Sequence, residues 1–177
     1  MNLFLIGYRC TGKTQVGKFL AERLGRPFLD TDAEVFRETG MSISDLVSRH
    51  GWDFFRRQER RILQRMCDKN DHVIATGGGI ILNPHNVVDM SASGRVVWLR
   101  ACPATIADRM SGDSHTRAQR PSLTGKTPVE EIEETLTERL PLYESAMHTA
   151  VDTDGLTIDE IADLILADFP QLTFHKL

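Results

Sequence analysis

The sequence predicts an α/β chain built on a parallel sheet with helices on both faces, and three observations carry that prediction. Short apolar runs alternate with stretches of helical periodicity; the runs are continuously apolar, as in strands buried on both faces; and a glycine-bounded loop joins the first run to the first helix. A length of 177 residues suits one domain, and 41% apolar and 26% charged residues are ordinary for a globular protein.

Leu3 to Ile6 reads as the first strand and stops at Gly7. From Lys13 to Leu24, Val16, Phe19, Leu20 and Leu24 recur at helical spacing until Gly25-Arg26-Pro27 ends the helix. Phe28 and Leu29 form a short second strand ending in Asp30, Val73 to Ala75 a third, and Val96 to Leu99 a fourth before Pro103 opens a helix. Thr149 to Val151 is a weak last strand, followed by a helix with Ile158, Ile161, Ala162, Ile165 and Leu166 on its apolar face. Two stretches interrupt the alternation. Residues 31–68 are a mainly helical excursion, and residues 111–127 are polar without periodicity. No acidic residue lies between Asp113 and Glu130, whereas His115, Arg117, Arg120 and Lys126 do, so this segment reads as a mobile lid that meets anions rather than as a solvated loop.

Composition excludes several classes. A net charge of −4 argues against a nucleic-acid binder, which needs a basic surface to displace counterions. Cys10, Cys67 and Cys102 are odd in number and lack metal-type spacing, so a disulfide framework or zinc site is not expected and a reducing, cytoplasmic setting is. No apolar run reaches membrane length, and Met1 to Ile6 is too short and uncharged for a signal peptide.

Gly7-Tyr8-Arg9-Cys10-Thr11-Gly12-Lys13-Thr14 matches the phosphate-cradling pattern G-x-x-x-x-G-K-[ST] between a strand and a helix. Amides of the loop and helix start, Cys10 to Gln15, would solvate the phosphates of ATP; Lys13 would neutralise the β and γ oxygens, and Thr14 would hold Mg2+. Many such loops have glycine at the place of Cys10, so a tighter backbone is expected there. Asp30-Thr31-Asp32 ends a strand at the edge where parallel sheets bind ligands; of the two carboxylates, Asp30 and Asp32, one can support the magnesium hydration shell while the other orients or deprotonates an acceptor hydroxyl. A helix N-cap is the competing reading. Arg56 precedes Glu59 by three residues, on a helix whose buried side carries Trp52, Phe55, Ile62, Leu63 and Met66, and an ion pair there would fix a guanidinium for carboxylate recognition. Arg57, Arg60, Arg61 and Arg65 read as a solvated face. Gly77-Gly78-Gly79 offers bare amides at the same sheet edge, against the alternative of a flexible turn.

In this order, together with Arg120-Pro121-Ser122-Leu123 and Glu138-Arg139 followed by Leu142-Tyr143, these segments resemble the shikimate kinase family over essentially the whole chain. The resemblance implies a three-layer P-loop kinase fold with a five-stranded parallel sheet, and transfer of phosphate from ATP to the 3-hydroxyl of shikimate. It assigns the substrate carboxylate to Arg56 and Arg139, ring hydroxyls to Asp32, backbone contacts to Gly77, Gly78 and Gly79, the closing lid arginine to Arg120, and packing on adenine to Arg109. The expected partners are ATP and a small anionic substrate, with the chain acting as a monomer. The loop Asp152-Thr153-Asp154-Gly155 departs from the family by lacking an arginine near adenine. Another small-molecule kinase, for a sugar acid or a nucleoside monophosphate, is the alternative. A nucleotide-dependent switch is a further one, weakened because no N-K-x-D occurs.

Overall fold

The computed structural model describes residues 1–112 and 127–173. Five strands, β1 (Asn2–Ile6), β2 (Phe28–Asp30), β3 (Val73–Ala75), β4 (Gly94–Arg100) and β5 (Thr149–Asp152), form one sheet in the order β2-β3-β1-β4-β5. Every pairing is parallel. The described helices are α1 (Lys13–Leu24), α2 (Thr31–Thr39), α3 (Ile43–Cys67), α4 (Pro84–Ser93), α5 (Pro103–Gly112), α6 (Pro128–Ala146) and α7 (Ile158–Asp168).

Strand alternation divides the core into two layers. Phe4 and Ile6 of β1 face the layer with Ile62 and Leu63 of α3, Met90 of α4 and Tyr143 of α6, while Leu3 and Leu5 face Val16 and Leu20 of α1 and Ile161 and Ile165 of α7. Each fully buried side chain of this size contributes about 1.5–3 kcal/mol of transfer free energy, so the sheet faces are the main source of cohesion. Because β1 pairs with β3 on one side and β4 on the other, the strand order reverses at its carboxyl end, and parallel sheets leave a ligand crevice at such a point. The phosphate loop begins there.

The predicted strands all form, and β4 extends to Gly94 and Arg100. Two expectations about α3 change. Trp52 is 37% exposed rather than on the buried side. The cause is Gly51, whose φ of 80° and ψ of 166° break the helix just before it. Nor is the arginine face simply solvated: Arg61 and Arg65 both bond to Glu38 of α2, and Arg60 bonds to Asp89 at 2.5 Å and Asn86 at 3.2 Å on α4. The Glu38 bonds join the two helices of the excursion to each other, and the Arg60 bonds join it to α4. Cys10, Cys67 and Cys102 are free thiols. Among the described residues no helix is long and apolar enough to cross a membrane.

β4 and β5 meet a titratable group at their start: Val96 N–H donates to His148 Nδ1 at 3.0 Å, which requires that nitrogen to be unprotonated. Burial, then the charge of Arg95, holds the imidazole below its ordinary value of 6.5. A histidine depressed by folding costs nothing above its unfolded value, and stability falls as pH drops through about 6.5 because the unfolded chain binds the proton more readily. Urea midpoints should therefore decline between pH 7 and 5.5, and His148→Asn, which keeps an acceptor without the titration, should flatten that decline.

Candidate active site

The phosphate loop takes its shape from glycine where no other residue fits. Gly7 has φ of 143°, and a Cβ there would lie 2.4 Å from the Leu99 carbonyl oxygen. Cys10 adopts φ of 60° without being glycine, so the expected tightness is real and costs on the order of 1–3 kcal/mol. Thr11 Oγ1 donates to the Tyr8 carbonyl at 2.8 Å, and Lys13 Nζ donates to the carbonyls of Gly7 at 2.8 Å and Tyr8 at 2.6 Å. Gly12 caps α1 without a side-chain bond and the first turn holds no acid, so the positive end of the helix faces the loop. Thr14 and Gln15 are exposed beside it.

Asp30 forms the helix cap of the competing reading and also faces the phosphate loop. Its Oδ1 caps α2 by accepting from the N–H groups of Asp32 at 2.9 Å and Ala33 at 3.3 Å, while its Oδ2 accepts from Thr14 Oγ1 at 2.8 Å. Two hard oxygen groups thus stand together at the mouth of the loop, which suits a small cation that draws its remaining ligands from water and phosphate. No cluster of three or more His, Cys, Asp or Glu suited to a metal occurs among the described residues.

Beside the loop opens a cleft, and Asp32, Arg56, Gly77, Gly78, Gly79 and Arg139 all line it. Arg56 is held from several directions. Its Nη1 bonds Glu59 Oε2 at 2.6 Å, and its guanidinium lies 5.0 Å from the Phe55 ring centroid and 5.5 Å from that of Trp52. Glu59 is 1% exposed; burial pushes its carboxyl up, and the charge of Arg56 and its bond oppose that shift. The triple glycine is explained by these neighbours. A Cβ on Gly79 would stand 2.2 Å from Arg56 Nη2, and one on Gly77 would stand 2.6 Å from Glu59 Oε1 and 2.8 Å from Asp32 Oδ1.

The glycines are not three bare amides, however. Gly77 N–H donates to the buried Oγ1 of Thr31 at 2.8 Å, because β2 and the start of α2 run beside β3, and this narrows the amide reading to Gly78 and Gly79. The Gly78 carbonyl is also used: it accepts from Tyr143 Oη at 2.6 Å and Arg139 Nη1 at 3.3 Å. Burial pushes the Tyr143 phenol far up, so it stays a neutral donor, and its ring stacks on Trp98 at 5.2 Å. Arg139, the least conspicuous candidate in the sequence, is therefore seated by the helix turn that carries Tyr143.

Arg109 of α5 reaches the far side of the loop, donating to the Cys10 carbonyl at 3.3 Å and to Thr153 Oγ1 at 3.1 Å and its carbonyl at 3.2 Å. It joins the phosphate loop to the segment after β5. Arg120 and residues 113–126 of the expected lid lie outside the described residues. Sequence reading did not single out Tyr8, Arg9 or Ile43, which also line the cleft. Tyr8 and Arg9 occupy variable positions of the loop pattern, so only the approach of α6 and β3 reveals which way they matter.

The sequence model described as shikimate kinase matches residues 9–170. A shikimate kinase of Syntrophus aciditrophicus is 42% identical, over 98% of this chain and 93% of its own. One of Thermodesulfovibrio yellowstonii is 38% identical, over 99% and 98%. Among solved structures, shikimate kinase from Acinetobacter baumannii in complex with shikimate superposes with a TM-score of 0.89 at 32% identity, covering 98% of this chain and 94% of that one.

The bond from Gly77 to Thr31 fastens the cleft to the edge strand. Thr31→Val keeps the volume and leaves a buried N–H unsatisfied, so the unfolding free energy should fall by about 1–3 kcal/mol, read as a lower urea midpoint at unchanged slope.

Proposed function

The chain belongs to the shikimate kinase family, and from that premise we propose that it transfers the γ-phosphate of ATP to the 3-hydroxyl of shikimate, giving shikimate 3-phosphate and ADP. The observation that carries this reading is the single cleft in which a carboxylate, Asp32, and two guanidinium groups, Arg56 and Arg139, meet beside a phosphate loop. Two fixed guanidinium groups suit an organic acid, since planar forks match carboxylate geometry and bond in pairs.

Arg56 and Arg139 take the substrate carboxylate, and the backbone of Gly77, Gly78 and Gly79 lies close against the ring because no Cβ intervenes. Asp32 accepts a hydrogen bond from the 3-hydroxyl, aligns its oxygen with the γ-phosphorus and receives its proton. The new O–P bond forms as the bond to the β-phosphate oxygen breaks, and the electron pair leaves with ADP. Lys13, turning from the Gly7 and Tyr8 carbonyls, and Arg120 bear on the oxygens where charge builds. Thr14 directly, and Asp30 through water, would hold Mg2+, which when bound supplies charge neutralisation between the β and γ phosphates. Arg109 packs on adenine. Residues 7–14 thus grip the donor, 31–68 the acceptor, and 111–127 close over both within one kinase domain. We place the chain in the cytoplasm as a monomer, in keeping with its free thiols; light scattering tests the latter.

ADP release should depend on shikimate and fail with sugar acids or nucleoside monophosphates; turnover of either in its place would overturn the assignment. The roles separate kinetically. Arg56→Ala should raise KM for shikimate about 10- to 100-fold, corresponding to a lost charge-assisted contact, with a smaller effect on kcat. Asp32→Asn should lower kcat by about 10²–10⁴ with little change in KM, and Arg120→Ala should likewise act mainly on kcat.

A further inference from the structure

We propose that Arg9 is a third guanidinium of the acceptor cleft and recognises the phosphoryl group once it sits on the acceptor, an inference that rests on the reading of the cleft given above. Arg9 occupies a variable position of the phosphate-loop pattern, so nucleotide binding does not itself require a cation there. Yet its side chain is only 10% exposed, and it lines the same cleft as Asp32, Arg56 and Arg139. It is oriented by two contacts: Nη2 bonds Glu131 Oε1 in the first turn of α6, and the guanidinium lies 5.4 Å from the Tyr8 ring centroid.

Two donors of this wall are unspent. Arg9 Nε and the Tyr8 hydroxyl are both buried without a hydrogen-bond partner among the described residues. Native proteins nearly always satisfy such groups, and exceptions mark places where a ligand or strain takes part. The charge balance points the same way. Arg56 is paired with Glu59 and Arg9 with Glu131, and Arg139 and Asp32 carry opposite charges, so these six charges cancel and leave no excess positive charge among them. After transfer the cleft must accommodate a phosphate that carries close to two further negative charges. Arg9 is the lining cation contributed by the phosphate loop, on the side from which the phosphoryl group arrives, and a guanidinium fork can keep one nitrogen on Glu131 while turning others to phosphate oxygens. Arg9 and Tyr8 thereby favour the phosphorylated acceptor over the free acid.

Equilibrium binding of shikimate and of shikimate 3-phosphate, measured separately by calorimetry, tests this. Arg9→Gln should weaken shikimate 3-phosphate by about tenfold or more, as loss of a charge-assisted bond does, and leave shikimate binding unchanged. Tyr8→Phe should weaken the phosphorylated ligand by about threefold, and Arg9→Lys should restore much of the preference for it. Parallel losses for both ligands would reduce Arg9 to a shaping role and overturn the proposal, as would unchanged affinity for shikimate 3-phosphate. Should Arg9→Gln fail to fold, Tyr8→Phe and Arg9→Lys decide by the same comparison. Wild-type protein that does not bind shikimate would overturn the acceptor assignment and this proposal together, whereas intact shikimate binding by the wild type, with variants that weaken both ligands equally or neither, overturns this proposal alone.

Discussion

A carboxylate removed from water must be paired, and Glu59 is buried at the floor of the cleft with Arg56 as its partner. The rest of the acceptor site follows from that one contact. Arg56 is bonded to Glu59 on its own helix and lies against the rings of Phe55 and Trp52, so its fork is fixed in direction before any acid arrives. A Cβ at residue 77 or 79 would displace the carboxylates of Glu59 and Asp32 or the guanidinium of Arg56, so glycine there lets the pair keep its place. Breaking such a pair from one side leaves an uncompensated buried charge, a cost of about 3–5 kcal/mol, so structure and recognition are maintained by the same residues.

The donor side is built on a different constraint. A phosphate loop must turn its amides inward, and this demands positive φ at several positions. Gly7 and Gly12 meet the demand without strain, and Cys10 meets it at some cost. The loop is then braced by its neighbours rather than by its own bonds alone: Arg109 ties it to the segment after β5, Glu131 ties Arg9 to α6, and Asp30 receives the Thr14 hydroxyl. Helix α6 is the element common to both sides, since it carries Glu131 toward the loop and Arg139 and Tyr143 toward Gly78. Movement of this one helix would be felt by donor and acceptor together.

Much of the candidate site was legible because its chemistry is locally encoded. Lys13 and Thr14 belong to a contiguous pattern, Arg56 and Glu59 are one helical turn apart, and the glycines follow a strand directly. Arg139 became legible only by resemblance, since nothing in its own surroundings separates it from a surface arginine. The misreadings have a common origin. Helical periodicity puts Trp52 on the buried side only by running across a glycine that breaks the helix, and Arg60, Arg61 and Arg65 read as solvated on their own helix although their partners lie on α2 and α4. The amide of Gly77 reads as available along the chain, although Thr31 at the start of α2 takes it.

The sequence by itself determined the alternation of strands and helices, the loop that grips phosphate and the kinds of charged group beside it, because periodicity and short motifs are properties of neighbours along the chain. Tertiary structure alone decided the strand order β2-β3-β1-β4-β5, the seating of Arg139 against Gly78 and the entry of Tyr8 and Arg9 into the acceptor cleft. Those contacts join residues far apart in the chain, and their formation depends on which strands pair across the sheet, a choice that no local pattern records.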